Sequence, residues 1–101
     1  MTLNLKKLRP AEGTPLNNDE LAVINVTGKN DLDEEVSYAK IRMTSKLVTD
    51  GSEVGTIEFY TRTNGNEPYK IMDMNTTVDS TITITGHMDV KGKISADEWI
   101  F

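Results

Sequence analysis

The chain has 101 residues, a net charge of −5 at pH 7 and no cysteine. This length corresponds to one ordinary domain or less, and the absence of cysteine excludes disulfide bonds and thiolate metal sites. The acidic balance argues against binding to nucleic acid, and no segment has the roughly 20 consecutive apolar residues of a membrane span.

The first 20 residues differ from the rest of the chain. Two prolines and a glycine, at Pro10, Gly13 and Pro15, make a regular element unfavourable. The segment therefore predicts either a docking arm or a frayed terminus. In the first interpretation, the apolar and basic side chains that would make the contact are Leu3, Leu5, Lys6, Lys7, Leu8 and Arg9.

Four strands are predicted in the middle of the chain. Apolar residues alternate with polar ones in each of them, and turn residues such as Asp50-Gly51 and Asn64-Gly65 separate them. The predicted strands are Leu21 to Thr27, Val36 to Val48, Gly55 to Thr63 and Tyr69 to Met74. The inward face of the fourth is ambiguous, because Ile71 and the pair Met72/Met74 lie on opposite sides of an extended chain.

From Val78 to Ala96 the alternation continues with a glycine in every third even position, at Gly86 and Gly92. A period of two predicts β-structure with one buried and one exposed face. Glycine on the buried face indicates that another backbone approaches there too closely for a side chain. Because a small β-rich chain without disulfides buries little surface alone, we expect it to associate with copies of itself.

Candidate chemical sites are weak. His87, the single histidine, falls on the exposed face of the alternating run and is expected to be an ordinary surface residue. The acidic residues Asp31, Asp33, Glu34 and Glu35 offer oxygen ligands for calcium but lack the spacing of a known calcium loop, so a solvated turn is favoured.

The aromatic residues are Tyr60, Tyr69 and Trp99. One interpretation is that they form a surface that contacts a glycan or receptor. The other is that they cover strand edges or pack between protomers. No constellation typical of catalysis is present, and neither an enzymatic activity nor a cofactor is expected.

The stretch from Glu20 to Asn75 resembles a module of tailed-bacteriophage fibre proteins. The resemblance rests on Tyr38-Ala39-Lys40-Ile41, on the turn at Asp50-Gly51, on Gly55-Thr56-Ile57-Glu58-Phe59-Tyr60-Thr61 and on Ile71-Met72-Asp73-Met74. The glycine-punctuated run from Ile82 to Ala96 is similar to the shaft repeats that are common after this module. The resemblance implies a homotrimer with parallel chains.

Together, these observations predict an all-β, elongated parallel homotrimer with intertwined strands and a triple-β-helix-like or β-prism shaft near the C-terminus. Residues 1–20 would form the docking arm, 21–76 the strand module, and 77–101 the shaft segment and tip. The expected trimer core is Ile41, Ile57, Phe59, Ile82, Ile84, Gly86, Met88, Val90, Gly92 and Ile94.

The expected function is that of a structural virion protein, a tail fibre or fibre-like appendage. Its N-terminus would contact other tail, neck or baseplate proteins, and a contact with the host cell surface would aid attachment. The alternative is a small monomeric β-sandwich that binds carbohydrate.

Overall fold

The computed structural model describes residues 2–3, 16–75 and 80–98. These residues form a single antiparallel sheet of five strands in the order β1-β2-β3-β4-β5, so each strand pairs with the next one along the chain. The strands are β1 (Asp19–Lys29), β2 (Glu35–Leu47), β3 (Val54–Thr61), β4 (Tyr69–Asn75) and β5 (Thr81–Ile84). The prediction of an all-β chain is confirmed.

The turns use the residues that tight turns require. Gly51 has a φ of 81°, and the amide of Ser52 donates to the carbonyl of Thr49 at 2.9 Å. Asn64 and Gly65 also adopt positive φ angles, of 52° and 76°. Positive φ is the conformation that favours glycine and asparagine, which is why these dipeptides were recognisable as turns in the sequence.

The first strand extends beyond its predicted end at Thr27. β1 continues to Lys29, and the chain reverses between Asn30 and Glu34. The Asn30 side chain organises this turn, because its Oδ1 accepts the amides of Leu32 at 3.0 Å and Glu34 at 2.9 Å. Asx turns of this kind satisfy backbone donors that have no partner in a ladder.

A β-bulge resolves the ambiguity of β4. Phe59 lies opposite Met72 and Tyr60 lies opposite Lys70, so Ile71 is the extra residue of the irregular step. Beyond the bulge, Met72 lies opposite Phe59 and Met74 lies opposite Ile57, so both methionines face the same side of the sheet as these two residues. The bulge thus places both methionines with the apolar residues of the neighbouring strand.

The alternating run forms a strand over a short part of its length. Residues 76–79 lie outside the described residues, β5 covers Thr81–Ile84, and residues 85–98 form no strand. After β5, the amide of Thr85 donates to the carbonyl of Ile71 at 2.8 Å, and Gly86 takes a φ of 112°. Beyond this point the described chain has no neighbouring strand with which to form a ladder, although its sequence keeps the alternation of apolar and polar residues.

Candidate functional site

The register gives the sheet two chemically different faces. Because side chains alternate along each strand, residues that lie opposite one another share a face. One face, called the apolar face below, is apolar on all five strands. It consists of Ala22, Ile24 and Val26 on β1, Ala39, Ile41 and Met43 on β2, Ile57 and Phe59 on β3, Met72 and Met74 on β4, and Ile82 and Ile84 on β5.

Nothing in the described part of the chain covers the apolar face. No hydrophobic side chain among the described residues is buried. Ile24 is 48% exposed, Ile57 in the middle strand 37% and Ile82 63%. A hydrophobic surface that spans a whole sheet marks an interaction site, because soluble monomers rarely expose such large contiguous patches.

The total surface of the chain leads to the same conclusion. Its solvent-accessible area is 8606 Å². A compact monomer of 11.3 kDa would expose about 5,700 Å². The radius of gyration is 17.4 Å, compared with about 13 Å for a compact domain of this length. The difference in area exceeds the roughly 800 Å² that each partner buries in a standard protein interface.

The opposite face, called the polar face below, carries a ladder of alternating charges across four strands. Glu20 lies 3.1 Å from Arg42, Arg42 lies 3.5 Å from Glu58, and the Lys70 Nζ lies 3.0 Å from Glu58 and 3.1 Å from Asp73. Each of the two cations thus lies beside two carboxylates, an arrangement that suits a face that stays in water.

Two of these cations have perturbed pKa values. Hydrogen bonding to Glu58, and then to Asp73, raises the pKa of Lys70. Hydrogen bonding with Tyr60, together with the nearby Glu58 and Glu20 carboxylates, raises the pKa of Arg42. Both shifts favour the charged form, so the two cations of the ladder are fully ionised at neutral pH.

Two threonines lie beneath these charges. Thr44 and Thr56 are 6% and 8% exposed, lie opposite each other on β2 and β3, and their hydroxyls hydrogen-bond across the strands. They line a shallow hollow of about 160 Å³ together with charged side chains that include Arg42, Glu58 and Lys70. Arg42 and Lys70 in this hollow are already paired with Glu58, so these charges offer little to an external ligand.

The apolar residues after β5 are largely exposed. Met88, Val90 and Ile94 are 62%, 40% and 50% exposed. A Cβ atom built at Gly86 or Gly92 meets no atom within 4 Å. Within the described chain, therefore, Gly92 satisfies no packing requirement.

The other predicted contact residues are dispersed. Of the docking arm, Leu3 is described and is 81% exposed, whereas Leu5, Lys6, Lys7, Leu8 and Arg9 lie outside the described residues. Tyr60 lies on the polar face with the Lys40 Nζ 4.4 Å from its ring centre. Tyr69 pairs with Thr61 and so faces the other side. Trp99 lies outside the described residues, and the two tyrosines do not form one platform.

Several members of the apolar face were not among the predicted core residues. They are Ala22, Ile24, Val26, Ala39, Met43, Met72 and Met74. Their alternation was visible in the sequence on β1 and β2. The alternation does not show how neighbouring strands are aligned. That alignment, the register, brings every one of these residues to the same face.

Within residues 2–3, 16–75 and 80–98, no group of three or more histidine, aspartate or glutamate side chains is arranged to hold a metal ion. Over the same ranges, no helix has the length and apolar character needed to cross a membrane.

Comparisons with protein-family models, with curated proteins and with solved structures found no match to this chain.

Proposed function

We propose that this chain is a structural subunit that functions as a homotrimer, in which the apolar faces of three sheets pack around a common axis. The observation that carries the proposal is the apolar face: it spans all five strands, and no hydrophobic side chain of the described residues is buried. Burial of this face in an oligomer would supply the hydrophobic core that the single chain lacks. It would stabilise the assembly by about 25 cal/mol for each Å² of apolar surface removed from water.

Three copies are favoured over two by the segment after β5. Its sequence places Gly86 and Gly92 on the apolar side of the alternation. The φ of 112° accounts for Gly86, whereas Gly92 has no positive φ, and among the described residues nothing beyond its chain neighbours lies within 4 Å of a Cβ built there. A glycine with open space around it in one chain is explained if the backbones of sister chains approach there. Such crowding is most severe where three strands converge on one axis.

We further propose that the trimer is a fibre-like appendage of a virion. This step is supported by the resemblance of residues 20–96 to bacteriophage fibre modules, and by the rod-like assembly that an amphipathic sheet and an extended shaft would make. The N-terminal arm would attach it to another tail, neck or baseplate protein. The role is mechanical, with neither catalysis nor a cofactor, and exposed side chains would make any contact with the host surface.

The carbohydrate-binding alternative requires two packed sheets in one chain. The described residues form one sheet, with Tyr60 and Tyr69 on opposite faces. No observation on the described residues favours this alternative.

Light scattering coupled to size exclusion tests the oligomer. We expect a species of three chain masses, each of 11.3 kDa, at micromolar concentration. A species of one chain mass would contradict the proposal. A deletion of residues 1–15 that still forms trimers but no longer joins the particle would support the docking role of the arm, whereas unchanged attachment would exclude it.

A further inference from the structure

The first strand is an unprotected edge of the sheet. β1 has eleven residues, and its outer side has no partner strand among the described residues. Between Leu21 and Thr27 it contains neither a charged residue nor a proline, the two features that most often prevent pairing at an edge. The opposite edge, β5, has four residues and therefore offers a much shorter ladder.

The segment from His87 to Glu98 is suited to pair with such an edge. No backbone hydrogen bond joins it to a strand within the described residues. Its alternation places Met88, Val90 and Ile94 on one side and the charged residues between them on the other. Added to β1, this pattern would extend the apolar face and the polar face together.

The order of charges favours parallel pairing. Read from the N-terminus, β1 begins with Asp19 and Glu20 and ends with Lys29. The segment has Asp89, which pairs with Lys91 at 2.8 Å, then Lys93, and ends with the acidic pair Asp97 and Glu98. When both run in the same direction, this acidic pair lies beside Lys29. Antiparallel pairing would place Glu98 near Glu20, and like charges on neighbouring strands are destabilising.

The segment cannot easily reach β1 of its own chain. It starts at β5, and four inter-strand spacings, about 19 Å in total, separate the two edges. Thr85 is still hydrogen-bonded to Ile71, so the chain would have to cross the sheet within the next few residues and then turn parallel to β1. A neighbouring copy meets no such restriction.

We propose that residues 87–98 of one copy pair in parallel with the β1 edge of the next copy, so that each chain in the trimer donates one strand and accepts one. The inference rests on the proposed self-association and specifies its contact. Head-to-tail donation of this kind can close a ring of three, whereas pairing of β1 with β1 would make a symmetric dimer.

Disulfide trapping tests the contact, because the natural chain has no cysteine and every disulfide would join introduced residues. The test variants combine Val23→Cys, which lies on the polar side of β1, with Lys91→Cys or Lys93→Cys. Neighbouring strands about 4.8 Å apart place facing residues within disulfide range. Copper-phenanthroline with oxygen serves as the oxidant. The controls are Val23→Cys alone and Val23→Cys with Thr83→Cys on β5.

We expect covalent dimers and trimers on non-reducing gels for at least one test variant, and monomers for both controls. Crosslinking in a control but in neither test variant would overturn the inference, since it would show β1–β1 or β1–β5 pairing. Absence of any crosslink in a sample that light scattering finds trimeric would also overturn it while leaving the proposed function intact. A single-chain mass for the natural protein would instead refute the self-association on which both rest.

Discussion

Thr44 and Thr56 are the two described side chains that are almost completely buried, and they are polar. Their hydroxyls share one hydrogen bond across β2 and β3. The sequence did not identify them, because alternation assigns both to the polar face. Their burial comes from long side chains nearby, such as Arg42, Lys46 and Glu58, that line the same hollow.

Replacement of Thr44 by valine should lower the free energy of unfolding by about 1 kcal/mol, because the Thr56 hydroxyl would be buried without its partner. The double variant Thr44→Val/Thr56→Val removes both polar groups and should recover most of the loss. Urea denaturation at one fixed chain concentration measures both. A double variant that is as unstable as the sum of the single ones would contradict this account.

Lys70 should make stability decrease at alkaline pH. Its pKa in the folded protein is raised by Glu58 and Asp73, so its contribution is fully present below the ordinary lysine value of 10.5 and is lost as pH rises through the folded value. Urea midpoints measured between about pH 9 and about pH 12 should fall less steeply for Lys70→Gln than for the natural chain.

Lys46→Gln is the matched control for Lys70→Gln, since Lys46 lines the same hollow but forms no ion pair with a carboxylate of the described residues. Its midpoints should match those of the natural chain over the same pH range. An equal flattening in both variants would show that the Glu58–Lys70–Asp73 contacts do not cause the effect.

At the scale of the elements, β4 shows which features of a fold are local in the sequence and which are not. Alternation and turn residues predicted both ends of β1, β2, β3 and β4 to within two residues, because both signals are local. The face of β4 was not predictable, because it depends on a bulge at Ile71 whose position is set by pairing with β3. The same holds for the apolar face as a whole. The apolar residues of each strand can be recognised from the local sequence, whereas the register between strands decides that all of them lie on one face.

Substitution of Gly92 can distinguish an effect on the fold of one chain from an effect on the association of chains. Gly92 is not among the positive-φ glycines, and a Cβ there meets nothing within 4 Å. Gly92→Ala should therefore leave the circular dichroism of the sheet unchanged. If sister backbones approach at this position, the added methyl group should weaken association about tenfold, equivalent to about 1.4 kcal/mol.

Sedimentation equilibrium of Gly92→Ala measures this effect, and Ser95→Ala, on the other side of the alternation, provides the control. We expect the control to associate like the natural chain. Natural association by Gly92→Ala would refute the crowding of backbones at this glycine.

At the scale of the whole molecule, the proposed trimer is stable only if its sister chains shield the apolar face from water. Ile57→Lys places a charge at the centre of this face, on the middle strand, and should convert the trimer into single chains because a buried unpaired ammonium is costly. Light scattering measures the mass of each species. Some of the single chains are expected to unfold, since an isolated sheet lacks a core.

Thr83→Lys introduces the same charge on the polar face of β5 and should leave the trimer intact. Dissociation in both variants would indicate a general effect of charge, and dissociation in neither would exclude the apolar face as the interface.

The number of strands in the sheet has a consequence for how such a chain is used. In an antiparallel sheet of five successive strands, the first and the last run in the same direction. An even number would return the chain to the end at which it entered, whereas here it enters beside Asp19 and leaves beyond Ile84, which the register places level with Ile24, partway along β1. A module of this kind therefore has polarity, and it holds the segments on its N-terminal and C-terminal sides apart from each other along the direction of the strands.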